Sequence, residues 1–228
     1  MIQIDDAGSG SLIGGTCIGI IRVETMEYYY EIIPINYYSP ENFKNKLYLY
    51  YTLTIIKRAI DILKIDKSEQ IYICRGYMFD ISYEWLYNNE YLVEPIKIGN
   101  PLQDIVEKTF QIYTISLGLN EVFIKYNKYP FQFHNIIKWV YADYNKRKCL
   151  CKIGWKSWQK YGSKNYGISR KRLGAKNEPC YKCGRPIFTN EEVYEITYIT
   201  NKLNKIHIHI HCSNQSRLQE ESRLIKTI

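Results

Sequence analysis

The chain has no apolar run approaching 18 residues, so no membrane-spanning helix is expected. Aspartates already stand at positions 5 and 6, so a secretory signal is not expected at its start either. Alanine is scarce, whereas tyrosine reaches 23 residues beside many Ile, Asn and Lys, a bias that fits AT-rich coding and carries no functional message alone. Seven cysteines, an odd number with two in a Cys180-x-x-Cys183 pair, argue against a disulfide framework and for a reducing, cytoplasmic compartment. The most informative absence is local: residues 145–177 contain no Asp or Glu.

That window holds 11 of the chain's 31 basic residues, leaving 20 basic against 23 acidic residues elsewhere. One segment therefore accounts for the whole net charge of +8, an electrostatic footprint for a polyanion. Trp155, Trp158, Tyr161 and Tyr166 are interleaved with the charges. Lysine and arginine neutralise phosphates and make binding salt-dependent; aromatic rings stack on unpaired bases for about 1–3 kcal/mol each. Lys148, Lys152, Trp155, Lys156, Trp158, Lys160, Arg170, Lys171 and Arg172 are the candidate residues for binding RNA or DNA. The competing reading is a pair of core tryptophans surrounded by snorkelling lysines.

Residues 2–6 read as a short strand, followed by a turn punctuated by Gly8, Gly10, Gly14 and Gly15. Residues 16–24 and 27–35 read as two more strands of an antiparallel meander, ended by Pro34 and the Ser39-Pro40 turn. Residues 41–65 carry a helical period through Phe43, Leu47, Tyr51, Ile55, Ala59 and Leu63, with Ser39 as cap and Pro40 at the first helical position. A strand at 71–74, a short helix at 81–87, a strand at 91–98 and a helix at 101–117, stopped by Gly118, complete the order β-β-β-α-β-α-β-α. Beyond it, 122–126 reads as a strand and 133–144 as a helix; no internal repeat is visible.

Ile4-Asp5-Asp6-Ala7-Gly8-Ser9-Gly10, continuing to Gly14-Gly15, resembles the opening motif of the type 2 ribonucleases H, in which a strand ends Asp-Glu-Ala-Gly-Arg-Gly. The resemblance covers roughly 20 residues, and the order of elements agrees with the ribonuclease H-like fold. It implies an α/β domain with a mixed sheet flanked by helices, and nuclease chemistry in which carboxylates hold two Mg²⁺ or Mn²⁺ ions about 4 Å apart. It makes Asp5 the metal-bridging carboxylate and puts Asp6 in the place of the family's glutamate. Ser9 stands where the family has arginine. The family's third and fourth carboxylates lie at the end of the fourth strand and the start of the last helix. Here the strand ends Ile73-Cys74-Arg75-Gly76 without an acid, so Asp80 and Asp104 are the candidates, with Glu107 and Glu24 in reserve. The competing reading of Asp5-Asp6 before glycine is ordinary hairpin chemistry.

The last fifty residues carry a second motif. Cys180-Tyr-Lys-Cys183-Gly184, two short strands at 192–199 and 205–210, and His209-x-x-Cys212 before an expected helix at 213–225 resemble a treble-clef zinc finger in spacing. Four N/S ligands suit a closed structural Zn²⁺ site. Cys180, Cys183, His209 and Cys212 are the expected ligands, with His207 and His211 competing because 206–211 alternates and sends all three histidines to one side. An H-N-H nuclease reading of the same unit would use these histidines and Asn214, but the histidine it requires before the hairpin is absent.

The expectation is three parts: a ribonuclease H-like domain at 1–140, a basic aromatic connector at 141–176 and a treble-clef-like zinc unit at 177–228. The expected function is nucleic-acid binding with two-metal phosphodiester cleavage. The alternatives are a non-catalytic nucleic-acid-binding adaptor on a degenerate fold, and a protein-interaction module stapled by zinc. No membrane partner is expected; the nucleic acid would be RNA or DNA.

Overall fold

The computed structural model describes residues 1–125, 129–162, 166–174 and 176–213. The chain forms two compact units, Met1–Gly118 with Leu150–Lys156, and Leu119–Cys149 with Ser157–Ile228. Residues 141–176, expected as a connector, are thus shared between both units.

The first unit is built on a five-stranded mixed sheet in the order β3-β2-β1-β4-β5. Strands β1 (Ile2–Ala7), β2 (Thr16–Arg22) and β3 (Glu27–Ile33) are an antiparallel meander. Strands β4 (Ile71–Cys74) and β5 (Val93–Ile96) extend it in parallel from β1. Alternation along β1 sends Ile2 and Ile4 to one face, where they join Ile18, Ile20, Ile71 and Ile73 in a core covered by Ile55, Ile56 and Ala59. Those three lie on α2 (Leu47–Leu63). The other face is covered by α4 (Leu102–Ser116), whose Val106 and Phe110 are fully buried. Gly8 and Gly19 admit that helix: a Cβ on Gly8 would stand 2.1 Å from the Phe110 ring, and one on Gly19 3.0 Å from Val106.

The helix expected over 41–65 is divided. A short α1 (Pro40–Lys44) precedes α2, and Lys46 between them is left-handed, with φ 54°. The break lets Tyr48 and Leu49 turn into the core. The short helix α3 (Asp80–Asn88) follows β4 as expected.

The second unit joins helices to a three-stranded sheet in the order β10-β9-β6. Its helices are α5 (Val122–Lys125), α6 (Phe133–Ala142), α7 (Tyr144–Arg147) and α8 (Lys156–Tyr161, the first residue of which falls in the first unit). Its strands are β6 (Tyr166–Arg172), the short pair β7 (Glu178–Pro179) and β8 (Pro186–Ile187), and the hairpin β9 (Glu192–Ile199) and β10 (Leu203–His209). Tyr141 of α6 stacks on Tyr198 of β9 with ring centroids 4.2 Å apart. Val122–Lys125 corrects an expected strand. Asn120 Oδ1 accepts the Val122 amide at 3.0 Å, and this side-chain cap starts a helix in spite of the β-branched residue. The helix expected at 213–225 lies outside the described residues apart from Ser213. No helix among the described residues is long and apolar enough to cross a membrane.

Candidate metal centre and carboxylate site

Cys180, Cys183, His209 and Cys212 converge: their ligand atoms all lie within 4.8 Å of one another. His209 Nδ1 is 3.4 Å from Cys183 Sγ and 3.8 Å from Cys212 Sγ. A tetrahedral ion with Zn–S bonds of about 2.3 Å separates its ligand atoms by about 3.5–3.8 Å, close to the two His209–thiol distances. His209 Nε2 lies 3.1 Å from the Pro186 carbonyl, to which it donates, leaving the Nδ1 lone pair for the metal. The Cys3His group could hold a metal ion, and its donor set is compatible with structural zinc.

The local chain explains the convergence. Gly184 is left-handed, with φ 77°, and donates its amide to the Cys180 carbonyl at 2.8 Å, while the Cys180 amide reaches the Arg185 carbonyl at 2.8 Å. This tight turn faces both thiols the same way. It is held from outside by Arg147, whose guanidinium donates to the carbonyls of Tyr181 at 3.0 Å and Lys182 at 2.8 Å, and by Asn120, which donates to the Cys183 carbonyl at 3.3 Å. Burial pushes Arg147 down to about 10, with Asp143 opposing. Burial raises the Cys212 thiol to about 12, followed by the effect of Cys180. Burial also acts upward on Cys183, but the Arg185 amide and hydrogen bonds to Cys180, Cys212 and His209 outweigh it and bring that thiol below its ordinary value. The rival histidines are placed elsewhere. His207 is hydrogen-bonded to Glu178 and lies 3.3 Å from Glu195; His211 is exposed and stacks on His209. Arg147 and Asn120 were hidden from sequence reading, Arg147 because it sits in a basic run where charge alone draws the eye.

At the other motif, β1 alternation separates the two aspartates. Asp5 lies beside Cys74, one step beyond the Ile4–Ile73 pair of the parallel ladder, on the face covered by α4. Its carboxyl is raised by burial; Cys74 and the Asp6 amide act against that rise, and Glu107 of α4 adds to it. Asp6 is also raised by burial, with a Ser9 hydrogen bond opposing, Asp5 adding and Lys152 opposing. Burial likewise pushes the Cys74 thiol up to about 11, with the Gly76 amide opposing and Asp5 adding. Asp80 and Asp104 are exposed residues at helix starts, and neither is among the groups that shift Asp5. Glu107, one turn beyond Asp104 and exposed as well, accepts a hydrogen bond from Gln103 at 3.3 Å.

On this face Asp5 lies beside a thiol, and Glu107 of α4 is an acid whose charge acts on Asp5. Gln3 adds a hard oxygen two residues earlier, a buried Oε1 without a hydrogen-bond partner among the described residues. Magnesium and manganese bind through one or two carboxylates plus substrate phosphates, which sets the measure for the residues on this face. They do not supply the larger carboxylate set that a two-ion centre needs.

Comparison with protein-family models, curated proteins and solved structures found no match.

The basic segment is not uniform. Lys148, Lys156 and Lys160 are exposed, as are Arg170, Lys171 and Arg172 on β6. Arg170 and Arg172 share one side of that strand and both pair with Glu192, while Lys171 points the other way. Two candidates are corrected. Lys152 is completely buried, held by backbone carbonyls of the turn after β1, and Trp158 is 7% exposed and stacked on Tyr144. Neither presents a free surface to a phosphate or a base. Trp155 is half-buried, with the Lys152 ammonium 5.1 Å from its ring centre.

Proposed function

We propose that this chain binds nucleic acid and cleaves phosphodiester bonds with a divalent cation held at the Asp5–Glu107 face of a ribonuclease H-like domain. The observation that carries the reading is the position of Asp5, at the end of the central strand of a β3-β2-β1-β4-β5 sheet with the meander antiparallel and β1, β4 and β5 parallel. The opening motif, the mixed topology and the effect of the α4 acid Glu107 on Asp5 support this reading. Asp5 and Glu107 would hold the ion, which would polarise a phosphoryl oxygen and activate water. The burial of Asp5 keeps water from competing for its carboxylate, and the glycine turn lets backbone approach a phosphate closely. Exposed Lys148, Lys160, Arg170, Lys171 and Arg172 would neutralise phosphates. In the second unit, the knuckle, the hairpin and the ligand pair at its end support a treble-clef-like zinc element that staples this surface. Free cysteines throughout fit a reducing, cytoplasmic setting.

One observation favours a second reading. Cys74 occupies the strand end where the resembled family has an acid, so the fold could bind nucleic acid without cutting it. A labelled panel separates the two: RNA–DNA hybrid, single strands, duplex DNA and a four-way junction, each with Mg²⁺ or Mn²⁺. Cutting of one substrate that is lost in Asp5→Asn supports the nuclease. Shifted but uncut substrate selects the adaptor.

A further inference from the structure

The turn after β1 is held from the far half of the chain. Residues 150–156 return to the first unit and lie along 12–14. The Lys152 amide donates to the Leu12 carbonyl and the Gly14 amide to the Leu150 carbonyl, both at 2.8 Å, and Cys151 bridges Ile13. Gly154 donates to the Tyr38 carbonyl at 2.8 Å, and its own seat is closed, since a Cβ there would lie 2.6 Å from Phe43.

This strap delivers one charged side chain into the unit. Lys152 has no exposed surface. Its Nζ is 2.7 Å from the Gly8 carbonyl, 3.3 Å from Thr16 Oγ1 and 3.5 Å from the Ser9 carbonyl. The Tyr38 and Trp155 rings flank it at 4.6 and 5.1 Å. An ammonium has three N–H donors, and three oxygens meet them. Asp6 is the carboxylate that acts on it from β1. Burying a lysine is costly, and an apolar residue of similar volume would fill the same space without that penalty. What the charge holds is the pair of carbonyls that closely follow the two aspartates. From the α4 side, the Phe110 ring fills the space beside Gly8, whose φ is 84°. The turn is gripped from both sides.

We propose that Lys152 is a positioning residue for the carboxylate end of β1: its buried ammonium holds the Gly8 and Ser9 carbonyls and so fixes the direction in which Asp5 leaves the strand. The consequence for metal rests on the function proposed above; the grip on the turn does not. Asp6, half-buried on the face opposite Asp5, acts on Lys152 and lies away from the ion that Asp5 would hold.

The test is amide hydrogen exchange of the full chain and of Lys152→Met, with Mn²⁺ titration alongside. In the variant, Ser11 and Gly14 amides exchange at least about tenfold faster while β4 and α2 amides are unchanged, the mark of a local opening. Mn²⁺ affinity falls in parallel, and the double variant Asp6→Asn/Lys152→Met recovers part of the loss. Unchanged exchange at Ser11 and Gly14 in a folded Lys152→Met overturns the proposal. If that variant does not fold, ¹³C resonances of the wild type decide: the Gly8 and Ser9 carbonyls move with the Lys152 Cε titration, and carbonyls that ignore it overturn the proposal. Wild type that binds no Mn²⁺ defeats the metal reading alone, because exchange still reports on Lys152.

Discussion

Replacing one ligand of the Cys3His cluster is the perturbation whose size the structure defines best. Structural zinc binds with about 10–16 kcal/mol, so one of four ligands is worth about 3–4 kcal/mol, or roughly 10²–10³ in affinity. Cys183→Ser and His209→Gln each remove an atom lying 3.4 Å from the other within the cluster. His207→Gln removes a ring that faces Glu178 and Glu195 instead. The assay is metal content after dialysis against a mild chelator, followed by Co²⁺ substitution and its charge-transfer absorption. Wild type and His207→Gln retain one zinc per chain and give a tetrahedral thiolate spectrum. Cys183→Ser and His209→Gln lose the metal, and the hairpin of β9 and β10 loses protection with it. Loss of zinc in His207→Gln with retention in His209→Gln would refute the ligand assignment, and retention in all three would refute the site.

Four further outcomes follow from the same structure. Asp5→Asn abolishes cleavage yet stabilises the fold at pH 7 by about 0.5–2 kcal/mol, the usual gain when a functional residue is relieved of its strain. Burial raises the Asp5 pKa, so the penalty of its charge is present above the folded pKa and vanishes below the unfolded value; the gain from Asn should disappear in acid melts. For Lys152 the depressed folded value of about 7 means that the native state releases its proton before the unfolded chain does; wild type gains stability as pH rises from 7 towards the ordinary lysine range, and Lys152→Met flattens that slope in denaturant titrations. Gly15→Ala places a Cβ 1.6 Å from the Ile33 carbonyl and destabilises by about 3 kcal/mol or more, read by urea unfolding. Neutralising Arg170, Lys171 and Arg172 together weakens nucleic-acid binding and lowers the salt slope by about 1 for each phosphate left without its cation; an unchanged slope removes β6 from the interface.

Much of the fold is readable where local pattern and tertiary environment agree. Ile2 and Ile4 alternate because one sheet face is buried, and Val106 and Phe110 recur at helical spacing because α4 lies on the other. The knuckle and its histidine are readable because ligand spacing is a covalent property of the chain. Reading fails where partners are distant. Lys152 looks like surface charge until Gly8, 144 residues earlier, is placed beside it. Val122 looks like a strand because the Asn120 cap is not visible in β propensity. Asp104 and Glu107 cannot be ranked until the helix phase is anchored to the sheet, and only then is Glu107 the one whose charge acts on Asp5. The period of two along β1 already puts Asp5 and Asp6 on opposite faces, a consequence that the pull of the shared motif obscures.

The central claim is that Asp5 and Glu107 hold one divalent cation on the α4 face of the sheet. Mn²⁺ binding to zinc-loaded protein, counted by electron paramagnetic resonance, tests it without any assumption about substrate. One Mn²⁺ per chain in wild type, lost in Asp5→Asn and in Glu107→Gln but kept in Asp80→Asn and Asp104→Asn, is the predicted result. Binding that survives Asp5→Asn, or no Mn²⁺ bound by wild type, would contradict it.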